Sequence, residues 1–334
     1  MRRWLPILVH AGCSGTDAPE GRAPAGRTLV TGFPGKPAVA RCDSDGRWGV
    51  GAAGIEHWIF DPREKKEHDP SNGGAKMSIF RDSLPFPQFS WGTGDFEITQ
   101  LVFPAGDGFI ARYHVMNHGE EARAVRLCVG TRRGSWAGPP LLGTAPSERS
   151  DGHQSFDLRI DPGASQFVVL STVEAANLDP GDALDAAAAQ WEKILSRPIS
   201  IQDAAAQSEY VGDLAGRALG VKEADGRVRA FEERFVKREG EALHLLPAVP
   251  EAWLLETVEV KGLKTDFGPL SFKHVGFYNN RTLDLEPGCA PPGGFLLAVG
   301  MKHIVKIDGK DVTPKDGVLR VPAGARRVEL ARPH

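Results

Sequence analysis

Along most of this chain, hydrophobic and polar residues alternate with a period of two, which predicts strands on both sides of one short helical stretch. Residues 96–103 are rich in β-branched and aromatic side chains. Pro104-Ala105-Gly106-Asp107-Gly108 then reads as a hairpin turn, its Asp-Gly pair supplying positive φ. Residues 109–116 return. They place Phe109, Ala111, Tyr113 and Val115 on one face, Arg112 and His114 on the other. After a turn at 117–121, residues 122–130 are expected as the third strand of a meander. Strands at 153–160 and 166–172 follow, separated by Asp161-Pro162-Gly163. Such spacing predicts a large antiparallel sandwich.

The period then lengthens. Asp179-Pro180-Gly181-Asp182 offers a helix start, with Asp182 read as the capping oxygen. Leu184, Ala187, Ala188, Trp191, Ile194 and Leu195 share one helical face, and Arg197-Pro198 ends it. A second helix over 203–219 contains Gly212 and Gly216, each costing ~1 kcal/mol relative to Ala. The spacing of Gly212, Gly216 and Gly220 fits either a close helix contact or a weak surface helix, and the surface helix is the reading taken. A third helix over 226–238 carries the stripe Val228, Phe231 and Phe235, with Gly240 as its stop. From 241 onward short strands return at 256–260, 270–272, 282–285 and 295–299, then a hairpin around Asp308-Gly309. Strands 319–321 and 328–330 are expected to pair across a Pro-Ala-Gly turn.

The fold class expected is therefore mainly β: two antiparallel β-sandwich domains, 28–178 and 241–334, joined by a helical linker, 179–240. A length of 334 residues with 41% hydrophobic content supports two sizeable cores. A net charge of −3 with both signs scattered gives no basic footprint, so nucleic acid is excluded as a partner. No apolar run approaches the ~20 residues of a membrane helix. Residues 1–27 read either as a flexible tail, giving a cytoplasmic protein, or as a short signal-like segment. In the second case His10-Ala11-Gly12-Cys13 resembles a lipobox and the protein is an envelope lipoprotein. Cys13, Cys42, Cys128 and Cys289 form no CxxC pair, so neither a metal site nor a disulfide framework is expected, and Cys128 reads as core. With no P-loop or dinucleotide fingerprint, no cofactor is expected.

The most informative stretch is Leu243-His244-Leu245-Leu246-Pro247-Ala248-Val249-Pro250-Glu251-Ala252-Trp253-Leu254. It resembles the start of the carboxy-terminal sandwich of six-hairpin glycosidases. Residues 260–272 and the helix before the motif, 231–240, continue that likeness. Residues 117–133 with Trp136-Ala137-Gly138-Pro139-Pro140 are similar to the supersandwich that precedes the helical barrel in these proteins. The resemblance implies two sandwiches flanking a toroid of twelve helices that holds the catalytic carboxylates. Helices of about 11–12 residues with connections of ~2–8 would need more than about 150 residues. Here 182–240 is about sixty. The toroid has no room, and the family's catalytic residues have no positions in this chain.

Glycoside hydrolysis calls for two carboxylates about 5–10 Å apart. Glu56-His57-Trp58 combines an acid, a base and a ring, but reads as strand residues of mixed exposure. Residues 61–69, a charge run before Ser71-Asn72-Gly73-Gly74, read as a solvated loop. Arg112 and His114 are candidates for a mutarotase-like site. Ser135 lacks the strand-turn-helix setting of a nucleophile elbow, and Asn280-Arg281-Thr282 matches a glycosylation sequon by chance. Arg132, Arg133 and Trp136, following a strand, are the best carbohydrate contacts, whereas Trp191 and Trp253 read as core. The function expected is a non-catalytic carbohydrate-associated module, a remnant of a six-hairpin glycoside hydrolase. One rival is a sugar-active enzyme, a mutarotase-like epimerase or a hydrolase, with its site on the amino-terminal sandwich. Another is a truncated product without independent function. The helical stripes are expected to pack between the sandwiches in a monomer; a homo-oligomer is the other way to bury them.

Overall fold

The computed structural model describes residues 28–34, 36, 38–50, 53–70, 75–81, 83–132, 141–172, 179–277, 280–299 and 303–331. The lipobox-like segment, Ser71 to Gly74, Arg133, Ser135 and Trp136 lie outside them.

The first half of the chain is a run of strands. It begins with β1 (Thr28–Gly32), β2 (Val39–Asp43), β3 (Trp48–Val50), β4 (Ala53–Asp61) and β5 (Lys66–His68). Then come β6 (Lys76–Phe80), β7 (Leu84–Thr93), β8 (Phe96–Ala105), β9 (Gly108–Asn117) and β10 (Arg123–Gly130). β11 (Leu142–Gly143), β12 (Glu148–Arg149), β13 (His153–Ile160) and β14 (Ser165–Ser171) complete it. One sheet runs β1-β2-β3-β4-β10-β13-β12, with β5 on β4; the other runs β11-β14-β9-β8-β7-β6. Their facing sides bury one core that includes Trp48, Ile59, Phe89, Trp91, Tyr113 and Phe156. As the alternation predicts, Phe109, Ala111, Tyr113 and Val115 all point into it.

β8 and β9 form the expected hairpin, but β10 is not its third strand. It pairs with β4 and β13 in the opposite sheet. The Asn117 side chain holds the crossover, donating from Nδ2 to the carbonyls of Glu121 (2.8 Å) and Ile160 (2.9 Å). The charge run at 61–69 is also more than a solvated loop. Asp61 is buried and pairs with Arg123, which reaches Asp95 as well, and residues 66–68 are a strand on β4.

Three helices and one short strand follow: α1 (Pro180–Ile194), β15 (Ile199–Ile201), α2 (Ala204–Ala218) and α3 (Lys222–Glu232). α1 is capped by Asp179, not Asp182. Asp179 Oδ1 accepts from the amides of Gly181 (2.7 Å) and Asp182 (3.2 Å). Pro180 decides the matter: its fixed φ suits the first helical position, which puts the cap one residue earlier. Asp182 is left inside the first turn, where its charge favours the helix start. Asp179→Ala should cost about 1 kcal/mol in a urea melt, and Asp182→Ala less. On the apolar face, all the expected residues are buried except Ile194, which is exposed at the end of the last turn.

α2 corrects a second expectation. It is not a surface helix: Tyr210, Val211, Gly212, Leu214, Ala215 and Gly216 are buried. A Cβ on Gly212 would lie 2.9 Å from Leu29 Cδ2, and one on Gly216 would lie 3.0 Å from Ala224 Cβ. The glycines let α2 approach β1 and α3 closely, and that packing outweighs their helix cost.

α3 stops at Glu232, earlier than the periodicity suggests. β16 (Val236–Glu239) instead pairs with β17 (Ala242–Leu245), so Gly240 turns a hairpin rather than ending a helix. Val228, Phe231 and Phe235 are nonetheless all buried.

The remaining strands are β18 (Thr257–Thr265), β19 (Gly268–Phe277), β20 (Asn280–Leu285) and β21 (Phe295–Ala298). After them come β22 (Ile304–Ile307), β23 (Lys310–Val312), β24 (Val318–Val321) and β25 (Arg327–Ala331). They make the sheets β15-β18-β19-β20-β25-β22-β23 and β16-β17-β21-β24. β24 and β25 do not pair with each other: β24 joins β21, whereas β25 lies between β20 and β22. The chain changes sheets across the Pro322 turn, so the turn joins two layers rather than two neighbours.

One continuous apolar cluster runs from Phe86 and Phe103, through Trp191 and Tyr210, to Leu245 and Phe272. The helices pack between the early and late sheets and share a core with both. The 243–254 motif has a clear structural part in this. Leu243, Leu245 and Leu246 are buried, and the Leu246 amide donates to the Phe235 carbonyl (2.7 Å). Trp253 packs its ring near Phe231 and Phe235, and its Nε1 donates to Asp203 Oδ2 (2.9 Å) at the start of α2. Among the described residues, no helix is long and apolar enough to cross a membrane.

Candidate functional site

β4 runs through the middle of its sheet, with β3 on one side and β10 on the other, and carries β5 along its later part. Glu56 and His57 oppose Gly130 and Val129 of β10. The alternation of β4 sends His57 inward and Glu56 and Trp58 to the outer face. At the end of the sheet near Glu56, three chain segments converge on β4. They are the Asp43–Arg47 turn before β3, Asp69-Pro70 after β5, and Thr131-Arg132 after β10. Together they line a cavity of about 540 Å³, within the range of small-molecule sites.

The cavity is walled by paired charges. Arg47 Nη2 lies 2.9 Å from Glu56 Oε1 and 3.9 Å from Asp45 Oδ2. Arg132 Nη1 lies 3.0 Å from Asp69 Oδ2. The Arg132 guanidinium also stands over the Trp58 ring, 5.0 Å from its centre, while His153 packs against the same indole at 5.1 Å. Trp58 thus steers Arg132 more than it offers an open stacking face. All four paired groups keep part of their surface in water, so hydroxyls of a ligand can reach them.

His57 is a core residue bordering the cavity rather than a free base. Its Nε2 accepts from Trp91 Nε1 (3.0 Å), and its ring lies among Phe89, Trp91 and Tyr113. Burial first, and the nearby Arg132 charge second, push its pKa down to about 3. The neutral ring therefore carries its proton on Nδ1, which has no partner among the described residues. Gly46 makes this packing sterically feasible. At φ +76°, its missing Cβ would lie 2.4 Å from Phe89 and 2.8 Å from His57 Cε1, so the turn closes directly over the imidazole.

Of the expected carbohydrate contacts, Arg132 lines the cavity; Arg133 and Trp136 follow it outside the described residues. Arg112 and His114 are elsewhere, on the outer face of the second sheet. Arg47 and Asp45 are not singled out in the sequence, and Asp69 reads there only as the end of a solvated charge run. No local motif marks them, because the cavity exists only once β3, β4, β5 and β10 align. Among the described residues no group of His, Cys, Asp and Glu could hold a metal ion, and Cys42, Cys128 and Cys289 are buried free thiols.

Solved structures similar to this chain include two from carbohydrate-active proteins. One is a bacterial glucoamylase complexed with acarbose, 9% identical, with a TM-score of 0.28, covering 62% of this chain and 43% of that one. The other, described as a kojibiose phosphorylase from the human microbiome, is 9% identical with a TM-score of 0.24, covering 58% and 34%. The chain spans less than half the length of either. Likenesses this slight carry nothing about what this chain binds or does. No protein-family model matches the chain, and no curated protein matches it.

Proposed function

We propose that this chain is a non-catalytic, carbohydrate-associated module that binds a sugar in the cavity beside Glu56 of β4. One observation carries the reading. Four charged groups, the half-buried Glu56 and Asp69 and the more exposed Arg47 and Arg132, converge as donors and acceptors on a space large enough for a small sugar. Hydroxyl-rich ligands are recognised by such convergent polar groups at fixed positions. Arg133 and Trp136, the next candidates along the chain, are proposed as further contacts.

The arrangement suits binding better than hydrolysis. An acid catalyst needs a carboxyl in an apolar setting, and both Glu56 and Asp69 sit beside guanidiniums. The resemblance of 243–254 to six-hairpin glycosidases supports the carbohydrate connection, and the short helical stretch supports a remnant without the toroid. In this reading, 28–178 is the sandwich that carries the site, 179–240 the linker and 241–334 the second sandwich.

A glycan array read beside a reducing-sugar assay tests this. Wild-type protein should bind a subset of glycans weakly, Arg132→Ala should lose that binding, and neither should release sugar. Turnover that survives repurification and vanishes in Glu56→Gln or Asp69→Asn would make the protein an enzyme. Equal array binding by wild type and Arg132→Ala would remove the cavity from consideration.

A further inference from the structure

The outer face of the second sheet is covered over only part of its area. Leu101, Phe103 and Ile110 belong to the core shared with α1 and α2. One register row beyond Ile110 on β9 stands Arg112, beside Leu101 and Val169; one row further, His114 lies between Thr99 and Phe167. Phe167 is 54% exposed, a large apolar ring on an open sheet face. It stacks on His114 at 4.6 Å and 19°, and the Arg112 guanidinium lies 5.5 Å from its centre. Ser90 continues the row beyond Thr99, and both hydroxyl residues are half-buried.

Arg112 is the unusual member. It is half-buried, and no carboxylate pairs with it among the described residues, whereas the other half-buried arginines described in this sandwich, Arg123 and Arg126, are both paired. Its partial desolvation is visible in a lowered pKa, whose cause is burial. A guanidinium that has lost water without gaining an anion is poised to accept one, bidentately.

We propose that this face is a second site, separate from the cavity, that binds an anionic sugar of the uronic acid class, its carboxylate on Arg112 and the apolar face of its ring on Phe167. Charge complementarity commits the occupant to a carboxylate, and the exposed aromatic ring commits it to a flat partner with an apolar face. Thr99, Ser90 and His114 supply hydrogen-bonding groups along the same row for ring hydroxyls. The helix-covered half of the sheet bounds the site beside Leu101.

Calorimetric titration with sodium glucuronate, glucose and sodium acetate tests this. Glucuronate should bind more tightly than either of the others, since glucose lacks the carboxylate and acetate lacks the ring. Arg112→Gln should weaken it about ten-fold, as expected for loss of a charge-assisted pair. Phe167→Ala, at an exposed position that leaves the fold intact, should weaken it about five-fold. Arg132→Ala should leave it unchanged, which separates this site from the cavity. Glucose or acetate binding as tightly as glucuronate, or an unchanged affinity in Phe167→Ala, would overturn the proposal even if Arg112→Gln fails to fold.

Discussion

Acidification should destabilise this protein steeply below about pH 6.5, with His57 responsible for a full proton's worth of the slope. Burial holds the folded-state pKa of His57 down to about 3, with the Arg132 charge adding to it. His274 is held down to about 4, again by burial first, then by Arg281, against a smaller raising effect from its backbone hydrogen bond with Glu256. An unfolded histidine titrates near 6.5. Above that pH neither state binds the proton and the stability is fully present. Below it the unfolded chain takes up the proton and the folded chain does not, so stability falls. Each histidine then costs about 1.4 kcal/mol per pH unit until its folded pKa is reached.

Between about pH 6.5 and pH 4 the two together should remove on the order of 5 kcal/mol, a large share of a typical ~5–15 kcal/mol. Carboxylates that titrate over the same range add their own contributions, so the decisive comparison is between proteins. His57→Gln offers no titrating group, and urea melts across this range should show its acid slope reduced by about 1.4 kcal/mol per pH unit relative to wild type. Parallel slopes would mean that His57 is not the buried neutral ring described above.

Trp191→Ala and Phe231→Ala should each lower stability by roughly 3–5 kcal/mol, the cost of deleting a buried aromatic. Trp191 is fully buried on α1, and its Nε1 donates to the Gly32 carbonyl (2.9 Å), tying the helix to β1. Truncation removes the ring and strands that carbonyl. Phe231 stacks on Tyr210 at 4.5 Å and 14° and lies near Phe235 and Trp253. It therefore joins α2, α3 and the 243–254 motif. Denaturant melts with losses below about 0.5 kcal/mol, the range of surface changes, would show that the helices are not the shared core.

Much of this architecture is legible in the chain because half-buried strands write their two faces into alternate residues. Phe109 to Val115 shows that plainly. What local pattern does not encode is which strand lies beside which. β10 looks like the third strand of a meander, yet it crosses to the opposite sheet at Asn117, and β24 and β25 part company across a turn that looks like a hairpin. The cap of α1 is misplaced to Asp182 by the sequence because Asp179 and Asp182 both suit the position, and only the place of Pro180 separates them. The glycines of α2 read as weakness in isolation and as close packing once Leu29 and Ala224 are beside them. The candidate site behaves in the same way. Glu56, His57 and Arg132 draw attention as residue types near strands, but their convergence with Arg47 and Asp69 depends on strand order alone. Phe167 gives no local sign that it lies open, because an outward aromatic and an inward one look alike in an alternating strand.

The proposed sugar site is the cavity between the Asp43–Arg47 turn, Asp69 and Arg132. Crystals soaked in the glycan that gives the strongest array signal test it most directly. Density for a sugar ring within hydrogen-bonding distance of Glu56, Asp69 and Arg132 is the result predicted. A cavity that holds only water while the same glycan occupies another surface would contradict it.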